Sequence, residues 1–287
     1  MRRTILCIVI ALIGSAGMAV AQSRPTLISV AERWKSVPAG MEAPVVLKVP
    51  GMDRVKVSKA EYASGRSMDI YYPGGFDFSR SAPVVIFVMG YSTDFTMNWF
   101  GARLKDLGQY VSWGELVAAS GMIGVAYETD FPDDDIDAVL EFIGRNGSSL
   151  GMDSKRIALF GCSGNTMTAL GALAAKRADY RTSLKCGVII YPIISYFMNT
   201  GEDVMPAPFK RQLRKDLPIF MVTVGNDRDE WKIAASTFLT NIQGKGLPVE
   251  VAHYAQGVHG FDTDQDTEES KALVAHTLTF LKDKLAQ

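Results

Sequence analysis

Cysteine is scarce in this chain of 287 residues: there are 3, Cys7, Cys162 and Cys186. That excludes a disulfide-stapled scaffold and a Cys-rich zinc module. Histidine is as scarce, with 3 residues, His253, His259 and His276. Neither HExxH nor a spaced Cys/His set occurs, so no metal is implied. No GxGxxG loop is present to cradle a phosphate, so no organic cofactor is implied either. Charge of one sign is also lacking: 30 basic residues meet 31 acidic ones, for a formal net charge of -1. Without a block of Lys and Arg, nothing points to nucleic acid or an anionic membrane as partner. Internal repeats, low-complexity tracts and linkers are absent as well. What remains is an ordinary globular composition, 47% hydrophobic and 21% charged. That is enough apolar material for a sizeable core, and the length suits one domain.

The N-terminus differs from the rest. Arg2 and Arg3 precede a continuous apolar run, Ile5 to Leu12, and Ala19-Val20-Ala21 gives a small-x-small cleavage site. Residues 1–21 therefore read as a bacterial secretory signal peptide, residues 22–287 as the mature chain, and the destination as periplasmic or secreted. The apolar run is short against the roughly 20 residues of a membrane span, so no membrane association is expected after cleavage. Export raises the question of a disulfide between Cys162 and Cys186. Cys162 ends one expected strand and Cys186 opens the next. In parallel neighbours they would sit at opposite ends of strands about 20 Å long, beyond disulfide reach. Two free, buried thiols are expected.

Along the mature chain, short apolar runs alternate with amphipathic stretches. Residues 44–49 and 54–58 look like short strands, and 67–73 alternates before a Pro-Gly-Gly turn. Buried strands are expected at 83–90, 122–127, 156–160, 186–191, 218–224 and 249–254. Helices are expected at 99–119, 134–146, 166–176, 231–243 and 267–285. In the second of these, Ile136, Val139, Leu140 and Ile143 share one face. Residues 193–216 break the rhythm and read as a loop or small cap. Its Tyr196, Phe197, Met198, Met205 and Phe209 either wall a pocket or bury the insertion. Apolar strands alternating with helices predict an α/β fold: a mostly parallel central sheet covered on both faces, with an antiparallel edge from the early strands.

The chemistry is expected at Gly161-Cys162-Ser163-Gly164-Asn165. This stretch joins a buried strand to a helix, and small residues flank a Ser. Such a strand–turn–helix corner forces the Ser into a strained conformation and aims free helix N–H groups at it. A Ser hydroxyl needs a base, and the base needs a carboxylate to hold it. His259, between Gly257 and Gly260 after the last strand, is the candidate base. His253 lies within a strand and His276 on the closing helix, where packing roles are expected. The acid should come from the loop after Val224: Asp227 is favoured, with Asp229 the alternative. The remaining acids there would offset the N-terminus of the next helix. An oxyanion hole needs two backbone donors; Gly164 N–H and Tyr91 N–H are expected. The side chains of Tyr91 and Trp99 either line the pocket or pack the loop.

With these pieces assembled, the chain resembles the α/β-hydrolases over roughly residues 45–285, near the dienelactone-hydrolase and exported esterase or peptidase-like branches. The resemblance is carried by Phe87-Val88-Met89-Gly90, by the Asp153-Ser154-Lys155-Arg156-Ile157 lead into the corner, by the acid loop, and by Gly257-Val258-His259-Gly260-Phe261. The chain order Ser163, Asp227, His259 is the family's order. The resemblance implies an enzyme that cleaves a carboxylic ester of a small-molecule substrate through an acyl-enzyme. The same residues would serve a peptidase or an acyltransferase. Two departures stand out. Asn165 occupies the position of the usual second Gly, where its tolerance of left-handed backbone would preserve the turn. Met89-Gly90 replaces the common His-Gly. These departures motivate a rival, a non-catalytic binding protein on the same scaffold. Cys162 is a second candidate nucleophile, as in dienelactone hydrolases, although the spacing from Arg156 selects Ser163.

Overall fold

Nine strands form one sheet in the order β1-β2-β3-β5-β4-β6-β7-β8-β9. The computed structural model describes residues 24–174, 183–194 and 213–287. The expected signal peptide lies outside the described residues, as do Tyr196, Phe197, Met198, Met205 and Phe209 of the insertion. The first three strands are β1 (Ile28–Ser29), β2 (Lys56–Ala63) and β3 (Arg66–Tyr72), and they run antiparallel along one edge. The parallel strands are β4 (Ala82–Phe87), β5 (Ile123–Tyr127), β6 (Met152–Cys162), β7 (Leu184–Ile190), β8 (Ile219–Asn226) and β9 (Val249–Val258). Their apolar runs are continuous because both faces are covered: every residue of β5 is buried, and so are Val84 to Phe87. The helices are α1 (Val30–Trp34), α2 (Thr93–Phe100), α3 (Gly108–Ala119), α4 (Pro132–Asn146), α5 (Thr166–Ala174), α6 (Asp229–Gln243), α7 (Phe261–Asp264) and α8 (Glu268–Leu285). Among them, α3 packs on β3 and β5, α5 on β6 and β7, and α8 on β6 to β9. Cys162 and Cys186 are free and buried, at opposite ends of the paired strands β6 and β7.

Two expected elements differ. Residues 44–49 form no strand. Their backbone pairs elsewhere: Val45 N–H donates to Ser112 Oγ (3.1 Å) and Val46 N–H to the Asp262 carbonyl (2.8 Å). The expected helix 99–119 is broken in two. Gly101, at φ 71°, closes α2 with its N–H on the Met97 carbonyl, and a short 3-10 turn (Leu104–Asp106) separates it from α3. That left-handed stop suits glycine.

The N-terminal segment is tied down by buried charge. Arg33 Nε donates to Asp69 (2.9 Å) and its Nη2 to Asp106 (2.7 Å), while Lys105 Nζ lies 3.3 Å from Asp69.

The sheet order places the site. From β4 the chain moves to β5 on one side, then returns to β6 on the other. Where the order reverses, loops leave the carboxyl ends of adjacent strands in opposite directions and open a crevice. The segments that leave β4 and β6 there carry Gly90-Tyr91 and Ser163-Gly164.

Candidate active site

Strand β6 runs without interruption to Cys162, and the next residue breaks its pleat: Ser163 has φ 52°, the left-handed region. A non-glycine residue held there costs about 1–3 kcal/mol. Small neighbours make the corner possible. A Cβ on Gly161 would fall 2.7 Å from Ala169 Cβ, and one on Gly164 would overlap the Tyr91 hydroxyl. A 3-10 turn, Ser163–Asn165, then leads into α5. The Ser163 carbonyl is also held, by the N–H of Ile193 at 3.1 Å.

The structure brings three of the expected residues into one chain of hydrogen bonds. Ser163 Oγ lies 2.7 Å from His259 Nε2, and His259 Nδ1 lies 2.8 Å from Asp227 Oδ2. Asp227 follows β8 directly, His259 follows β9, and these strands are parallel neighbours. The Asp227 side chain is 7% exposed, and its other oxygen accepts the N–H of Arg228 at 2.9 Å. Asp229 is 88% exposed and pairs with Lys232 across the first turn of α6. The imidazole is set between two aromatic rings, Tyr191 at 4.9 Å and Trp231 at 4.8 Å between centroids. The other two histidines are occupied elsewhere: His253 bonds Thr223, and His276 bonds Glu250 and packs on Phe220.

Cys162, one residue before the corner, has a different environment. It is buried, and its Sγ lies 3.3 Å from the Tyr110 hydroxyl. Burial, with the nearby Asp262 carboxylate, pushes its thiol up to about 11. A thiol so placed is not a nucleophile near neutral pH.

Asn165 differs from expectation in an informative way. Its backbone is not left-handed; that strain falls on Ser163 and Tyr191 alone among non-glycine residues described. Instead its side chain bridges two loops. Oδ1 accepts the N–H of Gly90 at 2.7 Å, and Nδ2 donates to the Tyr110 hydroxyl at 2.7 Å. Gly90 comes so close that a Cβ there would fall 2.7 Å from Asn165 Cα. The loop after β4 is thereby fixed to the corner. Met89 N–H is satisfied by the Tyr127 hydroxyl at 3.2 Å. After Gly90, the N–H of Tyr91 has no protein acceptor among the described residues. Gly164 lies in the first turn after the strand, where N–H groups have no acceptor within the helix.

Residues that sequence reasoning missed lie behind the imidazole. Asp262 is fully buried and accepts hydrogen bonds from Gln109 Nε2 (2.9 Å), Trp113 Nε1 (2.8 Å) and the Tyr191 hydroxyl (2.8 Å). Burial raises its carboxyl above the usual range, and the three donors oppose that shift. Tyr191 carries φ 34° and packs its ring against His259 at an interplanar angle of 59°. Asp262 stands three residues after His259, and that local spacing is its only sequence signal. A cavity of about 390 Å³ opens beside Asp227, walled mainly by Tyr191, Pro192, Val224, Trp231, Leu239 and Val251. Among the described residues no group of three or more His, Cys, Asp or Glu could hold a metal ion, and no helix is long and apolar enough to cross a membrane.

No protein-family profile matches the sequence, and no curated protein does. Solved structures do match. Esterase 2 of Thermogutta terrifontis, phosphoramylated by tabun, superposes with a TM-score of 0.59 at 15% identity, over 84% of this chain and 96% of that one. A double mutant of the esterase rPPE gives 0.65 at 14% identity, over 90% of each chain. A fungal esterase from Rhizomucor miehei gives 0.60 at 18% identity, over 90% of this chain and 89% of that one. The fold is that of the α/β-hydrolases. In this α/β-hydrolase fold Ser163, Asp227 and His259 meet beyond the carboxyl ends of β6, β8 and β9.

Proposed function

We propose that this chain is a serine hydrolase that cleaves carboxylic esters through an acyl-enzyme. The observation that carries the reading is the continuous hydrogen-bond chain from the strained Ser163 through His259 to Asp227. Ser163 Oγ attacks the ester carbonyl while His259 Nε2 takes its proton. Asp227 holds Nδ1–H, which fixes the tautomer and stabilises the imidazolium. The N–H groups of Gly164 and Tyr91 receive the developing oxyanion. Collapse of the tetrahedral intermediate expels the alcohol, which takes the proton back from His259. Water, activated by the same imidazole, then frees the acid and restores Ser163. The reaction draws on no cofactor. General-base activation of this kind contributes about two to four powers of ten in rate.

The named neighbours support the ester reading, since each is called an esterase and the Thermogutta enzyme is described as phosphoramylated by tabun. Within the superfamily we place the chain on the exported esterase side and not among thiol-dependent dienelactone hydrolases, because Cys162 is buried and faces Tyr110. Export to the periplasm or outside the cell belongs to the same proposal, carried by the Arg2-Arg3 start and the Ala19-Val20-Ala21 site.

The test is hydrolysis of short-chain and medium-chain p-nitrophenyl esters by residues 22–287, beside Ser163→Ala and Cys162→Ala, with fluorophosphonate labelling in parallel. Loss of both turnover and labelling in Ser163→Ala alone is expected. No turnover and no labelling in the unmutated chain would leave a binding protein on a hydrolase scaffold. Loss in Cys162→Ala alone would move the nucleophile to the thiol.

A further inference from the structure

Helix α2 is built inside out. Its one buried residue is the polar Thr96, whereas Phe95, Met97, Trp99 and Phe100 all face solvent. Phe95 is 42% exposed and Trp99 72%. A short helix that buries a threonine and presents large apolar side chains to water marks a surface with a partner or ligand. The rings are also ordered. Tyr91 stacks on Phe95 at 5.1 Å and 17°, and Phe95 stacks on Trp99 at 5.6 Å and 21°. The column starts at the reaction centre, because the Tyr91 hydroxyl sits over Gly164 Cα.

We propose that this column is the binding wall for the alkyl arm of the substrate, and that the preferred substrates are esters with a medium-length linear acyl chain. The inference depends on the ester-hydrolase reading above. Three features select this occupant. First, a carbonyl held by the N–H groups of Tyr91 and Gly164 has one substituent at the foot of the column. Second, the strip carries no Lys or Arg, and Asp94 is the helix's one charge, so an anionic headgroup or lipid surface has nothing to pair with. Third, Tyr91, Phe95 and Trp99 stack on one another in a line, which leaves a ridge of apolar edges along the column that a flexible chain can follow. C–C bonds of about 1.5 Å advance about 1.3 Å each along an extended chain, so the two ring steps of 5.1 and 5.6 Å match about eight bonds, a chain of about eight to nine carbons.

A one-sided apolar wall should raise kcat/KM by about two-fold per methylene, somewhat less than full burial would give. The experiment compares p-nitrophenyl acetate, butanoate, octanoate and dodecanoate, below their aggregation concentrations, on the unmutated chain and on Phe95→Ser and Trp99→Ser. The expected result is a rise of about 60-fold from acetate to octanoate, six methylenes at about two-fold each, then a plateau. In either variant the octanoate-to-acetate ratio should fall about tenfold. An unaltered chain-length profile in both variants would overturn the proposal while leaving ester hydrolysis standing. Light scattering of the same proteins supplies the other refutation: a dimer that the variants dissociate, with the profile unaltered, would assign the surface to a second copy. Failure of the unmutated chain to cleave any ester or react with a fluorophosphonate would instead remove the hydrolase reading, and this proposal with it.

Discussion

Asn165 offers the sharpest test of how the loop after β4, the proposed oxyanion loop, is held. Asn165→Ala removes the acceptor of the Gly90 N–H and the donor to the Tyr110 hydroxyl, both at 2.7 Å in a buried setting. Each group left short of a partner costs about 1–3 kcal/mol. The Tyr110 hydroxyl keeps its contact with Cys162, so the expected total is about 2–4 kcal/mol. With a urea slope of about 3 kcal/mol/M for a chain of this size, the denaturation midpoint should fall by roughly 1 M. Activity should fall for a separate reason. Deleting one oxyanion donor outright costs about 10²–10³ in kcat. Here the Tyr91 donor is retained but its loop loses a tether, so a loss of about 10–100-fold in kcat with little change in KM is expected. Asn165→Gly restores the commoner residue at this corner and should behave like Ala, because the bridge is made by the side chain. In Asn165→Asp both hydrogen bonds can form, with Tyr110 now the donor. A negative charge then stands beside the oxyanion, so kcat should fall at least as far as in the Ala variant. Steady-state kinetics with p-nitrophenyl butanoate and urea melts check all three variants. If Asn165→Ala and Asn165→Gly both keep kcat within two-fold and the same midpoint, the bridge is incidental and the argument is wrong.

Other expectations follow from the same contacts. Asp227→Asn should lower kcat by about 10³–10⁴, as loss of the correct imidazole tautomer does elsewhere, whereas Asp229→Asn should stay within two-fold; comparable losses would mean that the acid is misassigned. Cys162→Ala should remain active, and Ellman's reagent should react with neither thiol until the chain is unfolded, because both are buried and both thiols are raised in pKa by burial. Arg33→Met leaves the fully buried Asp69 with only Lys105 and should cost about 3–5 kcal/mol in a urea melt; a change under about 1 kcal/mol would show that the cluster is not under tension. The pH dependence of stability has a defined sign at Asp106. Burial works against its charge, but Lys105, Arg33 and then Arg103 outweigh it and hold the carboxyl below its usual range. A depressed carboxyl stabilises the fold above its unfolded pKa of about 3.9, and that stability is lost as pH falls through the lower, folded value. Urea midpoints measured from pH 5 downward should drop more steeply for the unmutated chain than for Asp106→Asn.

Periodicity made the sheet legible. The runs at 83–90, 122–127, 186–191 and 218–224 are almost wholly apolar because their strands are covered on both faces. The antiparallel edge was legible from the alternation in 67–73. Residues 44–49 misled for the same reason that the others succeeded. Val45 and Val46 are apolar, but their N–H groups go to a side chain and a loop carbonyl, partners that no local pattern reveals. The helix expected at 99–119 fails at Gly101, whose left-handed stop is present in the sequence but is masked by the surrounding apolar content. At the site, Ser163 and His259 were legible from their small flanking residues, and the acid was narrowed to a six-residue loop. Asp227 is distinguished from Asp229 by how β8 ends, since α6 begins at Asp229 and turns it outward. The contacts of Asn165 with Gly90 and of Asp262 with Gln109 and Trp113 span 75, 153 and 149 residues, and such pairings exist only once the sheet is assembled.

The corner itself shows why neighbouring residues can have opposite chemistry. Up to Cys162 the chain follows the pleat of β6, which directs the thiol into the core beside Tyr110 and raises its pKa. One residue later the left-handed turn at Ser163 leaves the pleat and sends Oγ to His259. The strain at Ser163 is therefore what separates a hydroxyl within reach of His259 from a buried thiol. It is held by contacts on both sides: Asn165 ties the corner to the loop after β4, and the Ile193 N–H ties the Ser163 carbonyl to the loop after β7. The unusual Asn then has a definite physical role. Its side-chain amide fastens the loop after β4 to the corner, and Gly90 permits the close approach, since a Cβ there would fall 2.7 Å from Asn165 Cα.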